Sequence, residues 1–240
     1  METIELGHLP LAPGARVLDL GCGEGRHAIA AWLKREAHCI GIDLCAADVR
    51  RARERAEPFR EAVAGSPARS IGFAVADGLR LPFAEHSFDV VVCSEVLEHI
   101  GPYREVLAEI RRVLKPGGAL AASVPRYWPE RICWWLSDAY HANEGGHIRI
   151  FRAAELEQDI EALGFRRYHR HGAHALHAPY WWLQCLFWER RERSRLVALY
   201  HRLLVWDLMA QPRLTRALER LLNPVLGKSV VMYFRKAASP

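Results

Sequence analysis

The sequence predicts an α/β fold built on a doubly wound, mainly parallel sheet. Three observations carry this reading. Short apolar strands alternate with amphipathic helices through the first half of the chain. A glycine cluster follows the first strand, where such sheets turn into their first helix. The 240 residues are half apolar and one quarter charged, which describes a globular protein rather than a disordered, collagen-like or membrane-spanning one.

Arg16–Leu20 (Arg-Val-Leu-Asp-Leu) reads as a short buried strand stopped by Gly21. Helical spacing covers 26–34, and a second strand, His38–Asp43, ends on an aspartate. Residues 48–64 read as a charged helix, 70–76 as a third strand and 88–93 as a fourth. Pro102 opens the next helix, because its missing N–H costs nothing in a first turn. Leu107, Ile110, Val113 and Leu114 keep that helix's spacing, Lys115-Pro116-Gly117-Gly118 stops it, and 119–124 form a fifth strand. Residues 127–144 are tryptophan-rich and read as irregular. A helix at 153–163 stops at Gly164. Residues 165–173 form a sixth strand and 228–236 the last. Between those two strands, Leu196, Leu199, Tyr200 and Leu203 make one helical apolar stripe, and Leu214, Ala217, Leu218 and Leu221 another.

The formal charge, 33 − 28 = +5, conceals an asymmetry. Residues 164–240 carry 14 − 4 = +10, whereas 1–163 carry 19 − 24 = −5. The opening Met1-Glu2-Thr3-Ile4-Glu5 lacks the basic start and apolar run of a secretory signal. No window reaches the ~18 uninterrupted apolar residues of a spanning helix. The nearest, 173–188, is broken by His174, His177, Pro179 and Gln184. The six cysteines are scattered without a C-x-x-C pair, which argues against a disulfide framework or zinc knuckle and for a reducing, cytoplasmic setting.

The loop Asp19-Leu20-Gly21-Cys22-Gly23-Glu24-Gly25 would let a nucleotide approach the backbone closely. Alone it does not choose the nucleotide, since 23–28 also fits a dinucleotide-binding pattern. Asp43 at the second strand's end is placed to accept from ribose hydroxyls, and Asp77-Gly78 after the third is placed to accept from an adenine amino group.

Taken together, these residues resemble the class I S-adenosylmethionine-dependent methyltransferases of the small-molecule branch, the ubiquinone and menaquinone enzymes in particular. The stretches that match are Asp19–Gly25, Gly41-Ile42-Asp43, Ala76-Asp77-Gly78, Phe88-Asp89-Val90-Val91, Glu95-Val96-Leu97-Glu98-His99 and Leu114-Lys115-Pro116-Gly117-Gly118, in the family's order and spacing across 12–165. The resemblance implies a Rossmann-like seven-stranded sheet with its last strand antiparallel; the helical stripes between strands six and seven read as an insertion into it. It implies S-adenosylmethionine as cofactor. Asp19, Gly21, Cys22, Gly23 and Gly25 would hold its methionine part, Asp43 and Leu44 its ribose side, and Asp77 and Gly78 its adenine. Ser94 and Glu95 would complete the site. The acidic core suits a sulfonium cation. The division that follows is a cofactor-binding core at 1–174 and 227–240, an aromatic acceptor-side insertion at 126–150, and a helical insertion or lid at 175–226.

Methyl transfer from an activated donor chiefly needs an acceptor held in line, worth up to about 7–11 kcal/mol. A base is required where the acceptor is a hydroxyl or carbon of high pKa. His99, just past the fourth strand, and His147, in Gly146-His147-Ile148-Arg149, are the candidate catalytic residues. Glu95, Glu98 and His99 would share one face of a helix and could form the divalent-cation site that the resemblance implies for some quinone O-methyltransferases. A cap and a salt bridge are the simpler account of these residues, and no metal is expected.

Cys93-Ser94-Glu95-Val96 stands where enzymes acting on exocyclic amines often carry Asn-Pro-Pro-Tyr, so O- or C-methylation is favoured. Seven of the eight tryptophans lie between Trp128 and Trp206, which suggests a small apolar or aromatic, even lipid-like, acceptor. Tryptophans followed by arginines across 180–195 suit a lid first, then an anionic membrane surface contacted peripherally, then a dimer contact, and last RNA. Two alternatives stay open: an RNA methyltransferase using the basic region, and a non-catalytic scaffold of the same fold. Nucleic acid is disfavoured as partner, and the oligomeric state is not encoded legibly.

Overall fold

The computed structural model describes residues 2–63, 65, 68–142 and 145–238. Seven strands form one sheet: β1 (Arg16–Leu20), β2 (His38–Asp43), β3 (Ser70–Val75), β4 (Phe88–Ser94), β5 (Leu114–Pro125), β6 (Phe165–Ala173) and β7 (Ser229–Lys236). Their order is β3-β2-β1-β4-β5-β7-β6. The first five pair in parallel, while β7 runs antiparallel between β5 and β6. This is the Rossmann-like seven-stranded sheet expected, with its last strand reversed.

The central strands are apolar on both faces because helices cover both. One face packs Leu18, Leu20, Val91, Leu120 and Phe234 under α3 (Tyr103–Val113) and α6 (Ala153–Ala162). The other packs Val17, Val90, Val92 and Tyr233 under α1 (Arg26–Arg35) and α2 (Ala46–Ala56). Strand direction then fixes the site. Gly21, Asp43, Asp77, Glu95, Arg126, His174 and Lys228 all stand at the one edge where the parallel strands end and β7 begins.

Three elements differ from expectation. The helix expected over 48–64 is α2, which begins at Ala46 and ends at Ala56; Pro58 then sits in one of two short 3₁₀ turns at Glu57–Phe59 and Glu61–Val63. The fifth strand begins at Leu114, with a register shift between its pairings to Phe88 and Val90 that absorbs the glycines. The 127–144 stretch, of which 143 and 144 lie outside the described residues, is not irregular over 127–142. It forms α4 (Tyr127–Leu136) and α5 (Asp138–Ala142). Tryptophans obscure α4's period because Trp128 and Trp135 stand on its exposed face with Arg131, while Pro129, Glu130 and Cys133 are buried on the other; α4 packs against α5 and α7 (His177–Leu186). The insertion after β6 also contains α8 (Arg195–Ala210) and α9 (Arg213–Leu226).

Candidate active site

The glycine loop is set by backbone demands. Gly21, Gly23 and Gly25 have φ of 66°, 50° and 81°, a region that costs other residues about 1–2 kcal/mol. A side chain at Gly21 would also meet Val96 Cγ2 at 2.3 Å, and one at Gly25 would meet Phe73 Cε1 at 2.9 Å. Asp43 holds the loop from beside it. Its carboxylate accepts from Gly23 N at 2.8 Å and from Cys45 N at 2.9 Å. Asp77 accepts from Leu79 N at 2.9 Å, which turns the chain after β3. Leu44 lies beside Asp43 and is 73 % exposed.

Asp19 and Cys22 sit lower. Asp19 is buried and accepts from Ala28 N at 2.9 Å, tying the loop to α1; burial pushes its carboxyl up to about 7. The Cys22 side chain is buried and its sulfur packs toward Gly41, so only its backbone borders the loop. Gly78 has neither a positive φ nor a close neighbour, so the backbone does not require glycine there.

Next along the edge, Ser94 Oγ pairs with Ser123 Oγ at 2.9 Å, and Ser123 donates to Glu95 Oε1 at 2.8 Å. Glu95 has φ 57°, a strained conformation of the kind concentrated at functional sites. That kink overturns the expected helix through Glu95, Glu98 and His99: only the short 3₁₀ turn Leu97–His99 follows. Glu98 and His99 instead meet His147, with ligand-capable atoms of all three within 4.8 Å of one another.

Ile148 N donates to the Glu98 carbonyl at 3.1 Å, which brings the 146–148 segment to the turn. His99 Nδ1 lies 3.3 Å from the Gly146 carbonyl, leaving Nε2 free. The His99 and His147 rings are 5.0 Å apart, edge to face. His147 Nδ1 is 2.6 Å from Glu130 Oε1 on α4. Since Glu130 accepts, Nδ1 carries the proton and Nε2 is the basic atom.

Glu130 is buried; burial raises its carboxyl, but the bond and charge of His147 hold it below the usual range. Burial and the neighbouring His147 lower His99. Glu98 is fully buried, neither carboxylate oxygen has a partner, and burial with the charge of Glu95 pushes it well up. Lys228, at the start of β7, lays its charge on both Glu98 and Glu130, and Trp181 stacks 5.1 Å from its ammonium.

The sequence profile of a family described as a methyltransferase domain matches residues 4–169. The chain belongs to this methyltransferase family. Among curated relatives, it is 38 % identical over 115 residues to 27-O-demethylrifamycin SV methyltransferase of Amycolatopsis mediterranei, covering 48 % of this chain and 40 % of the relative. It is 34 % identical over 120 residues to O-methyltransferase rstn1 of Aspergillus nomiae, covering 50 % and 51 %. It is 38 % identical over 113 residues to demethylmenaquinone methyltransferase of Corynebacterium urealyticum, covering 47 % and 43 %. The chain thus matches about half the length, or less, of these relatives. A solved S-adenosylmethionine-dependent methyltransferase of Methanosarcina mazei superposes with TM-score 0.62 at 17 % identity, covering all of both chains. The [4+2]-cyclase SpnF superposes with TM-score 0.61 at 21 % identity, covering 98 % of this chain and 78 % of that one. Both likenesses show the fold alone.

Family and fold imply S-adenosylmethionine as the methyl donor of this methyltransferase. The glycine loop and Asp43 suit it: Gly21 and Gly25 leave no room for a side chain beside the backbone, and a carboxylate stands at the end of β2. Replacing Asp43 with Ala removes the acceptor of two backbone N–H groups that shape the loop and the side chain placed to meet the ribose. Donor affinity measured by titration calorimetry should fall at least about tenfold.

Sequence reasoning found His99 and His147 but missed Glu130, the residue that orients His147. Its one signal was an acid placed between Trp128 and Trp134 on an apolar stretch. Lys228 was read only as the start of a strand.

Proposed function

We propose that this methyltransferase moves the methyl group of S-adenosylmethionine to a hydroxyl of a small, largely apolar or aromatic acceptor. The supporting observation is the Glu130–His147 pair at the acceptor edge: a buried carboxylate 2.6 Å from an imidazole whose other nitrogen is free. That is the arrangement a base needs to deprotonate a hydroxyl as it attacks the methyl carbon. The attacking oxygen gives its proton to His147 Nε2, the C–O bond forms as the C–S bond breaks, and Glu130 stabilises the imidazolium. Lys228 supplies positive charge toward the developing oxyanion. Aromatic side chains from the insertions, Tyr140, Trp181 and Trp188, pack around this edge, with Tyr140 6.0 Å from Trp181 and 5.8 Å from Trp188. They favour a ring-containing acceptor. An activated carbon acid would use the same base. Incubation with methyl-labelled donor and a panel of phenols and enols should give O-methyl products; label found only on amines would overturn the reading.

Glu98 supports a second reading. Its unpartnered oxygens, with His99 and His147 Nε2, could hold a divalent cation, which would lower the pKa of a bound hydroxyl in place of proton removal by His147. Chelator-treated enzyme that regains activity with Mg²⁺ or Mn²⁺ supports it, and full activity after chelation removes it.

We also infer a lipid-facing role for the helical insertion. Among the described residues no helix is long and apolar enough to cross a membrane. The tryptophans at 181, 182 and 188 are half-buried, so the open apolar surface lies further along, on α8 and α9. Leu196, Leu199, Leu203 and Trp206 line a groove of about 440 Å³ with Leu183 and Tyr200, and Leu214, Leu221 and Val225 are exposed on α9. Arginines at 195, 202, 213, 216 and 220 flank these residues, which suits an anionic bilayer surface. The protein should co-sediment with phosphatidylglycerol vesicles at low salt and lose binding when Leu203 and Leu214 become Glu. Equal sedimentation of the variant would sink this reading.

A further inference from the structure

A second cluster of chemistry-bearing side chains lies on the other flank of Lys228, over β6 rather than β4. His174 follows β6, His177 opens α7 and Glu219 comes from α9. Their ligand-capable atoms lie within 4.8 Å of one another, and the two imidazole rings are 5.6 Å apart, edge to face. They belong neither to the glycine loop and Asp43 nor to the Glu130–His147 pair.

Three buried polar atoms here have no hydrogen-bond partner: His177 Nδ1, Glu219 Oε1 and Asp207 Oδ1. Asp207, on α8, is 6 % exposed, and its charge acts on both His177 and Glu219. Orphaned buried polar groups are costly and call for an explanation. A cation held between His177 and Glu219 would engage those two residues, while Asp207 lies outside the group of mutually close ligand atoms and acts through its charge. The Nε2 atom of His174 lies 3.1 Å from Thr3 Oγ1, a bond that fixes the ring and leaves its other nitrogen available.

The cluster also borders a cavity of about 850 Å³ whose lining includes Thr3, His174, Asp207, Arg216 and Glu219, so an ion has a way in.

We propose that His174, His177 and Glu219 bind a divalent transition-metal ion of the zinc class, with Asp207 as the adjacent carboxylate. Two imidazoles and a carboxylate are the donors Zn²⁺ takes, usually with a fourth position for water or another oxygen. The ion would pin α9 to the turn between β6 and α7, fastening the helical insertion to the sheet edge. It is distinct from any cation at Glu98, His99 and His147, and it does not depend on the identity of the acceptor.

The test uses the full chain freed of metal by chelation and titrated with Zn²⁺, and with Co²⁺ for its absorption bands. The wild type should bind Zn²⁺ and show tetrahedral Co²⁺ bands. His177→Ala and Glu219→Gln should each weaken binding at least about tenfold, the effect of losing one ligand, and lose the bands, while Glu98→Gln retains them. Methyl transfer by Glu219→Gln should stay near wild type. If His177→Ala does not fold, the nearly isosteric Glu219→Gln decides alone, with far-UV circular dichroism as its folding control. No Zn²⁺ binding by the wild type, unchanged affinity in folded Glu219→Gln, or loss confined to Glu98→Gln overturns the proposal.

Discussion

Replacing His147 with Ala should lower kcat by about 10²–10⁴-fold, the usual contribution of a general base, while leaving the affinity for S-adenosylmethionine unchanged. The split follows from position. The donor loop and Asp43 lie over β1 and β2, whereas His147 stands over β4 and β5, held by Glu130 on α4. Removing the imidazole also leaves the buried Glu130 carboxylate with only the Tyr140 hydroxyl, at 3.4 Å, as side-chain partner, so some loss of stability is expected. Glu130→Gln separates the two effects. The amide still accepts from Nδ1–H and keeps the ring oriented, but it no longer stabilises the imidazolium, so kcat should fall by less than in His147→Ala. Rapid-mix assays at saturating donor, paired with calorimetry, check both outcomes.

Gly21→Ala should be the most damaging single change at the donor loop. The added Cβ meets Val96 Cγ2 at 2.3 Å in a backbone with φ 66°. Overpacking of that kind costs about 1–3 kcal/mol, and the left-handed backbone adds about 1–2 kcal/mol. Donor affinity should fall by about a hundredfold or more. Gly23→Ala is the control. Its φ is 50°, but an added Cβ meets nothing within 4 Å. It therefore pays only the backbone cost and should lose about tenfold less affinity than Gly21→Ala.

The fold was legible because its signals are local. Gly21, Gly23 and Gly25 punctuate a strand-to-helix turn that only glycine makes cheaply, and Asp43 ends a strand at readable spacing. The acceptor side is assembled from distant segments. His99 and His147 could each be singled out, but a long-range bond from Ile148 N to the Glu98 carbonyl brings them together. No periodicity announces such a bond. Glu130 was hidden because α4 inverts the usual pattern of a surface helix: Trp128 and Trp135 are exposed while the acid Glu130 is buried. The helix expected through Glu95 fails because Glu95 takes a left-handed backbone, which a sequence pattern favouring helix does not reveal. His174, His177 and Glu219 come from three elements and were unconnected in the sequence.

The most direct test of the account compares methyl transfer by wild type and His147→Ala across acceptors graded by hydroxyl pKa. If His147 removes the acceptor's proton, the variant's deficit should be largest for weakly acidic hydroxyls and should shrink toward none for phenols already ionised at the assay pH. A deficit of the same size for every acceptor would contradict a base role and leave His147 as a residue that only shapes the site.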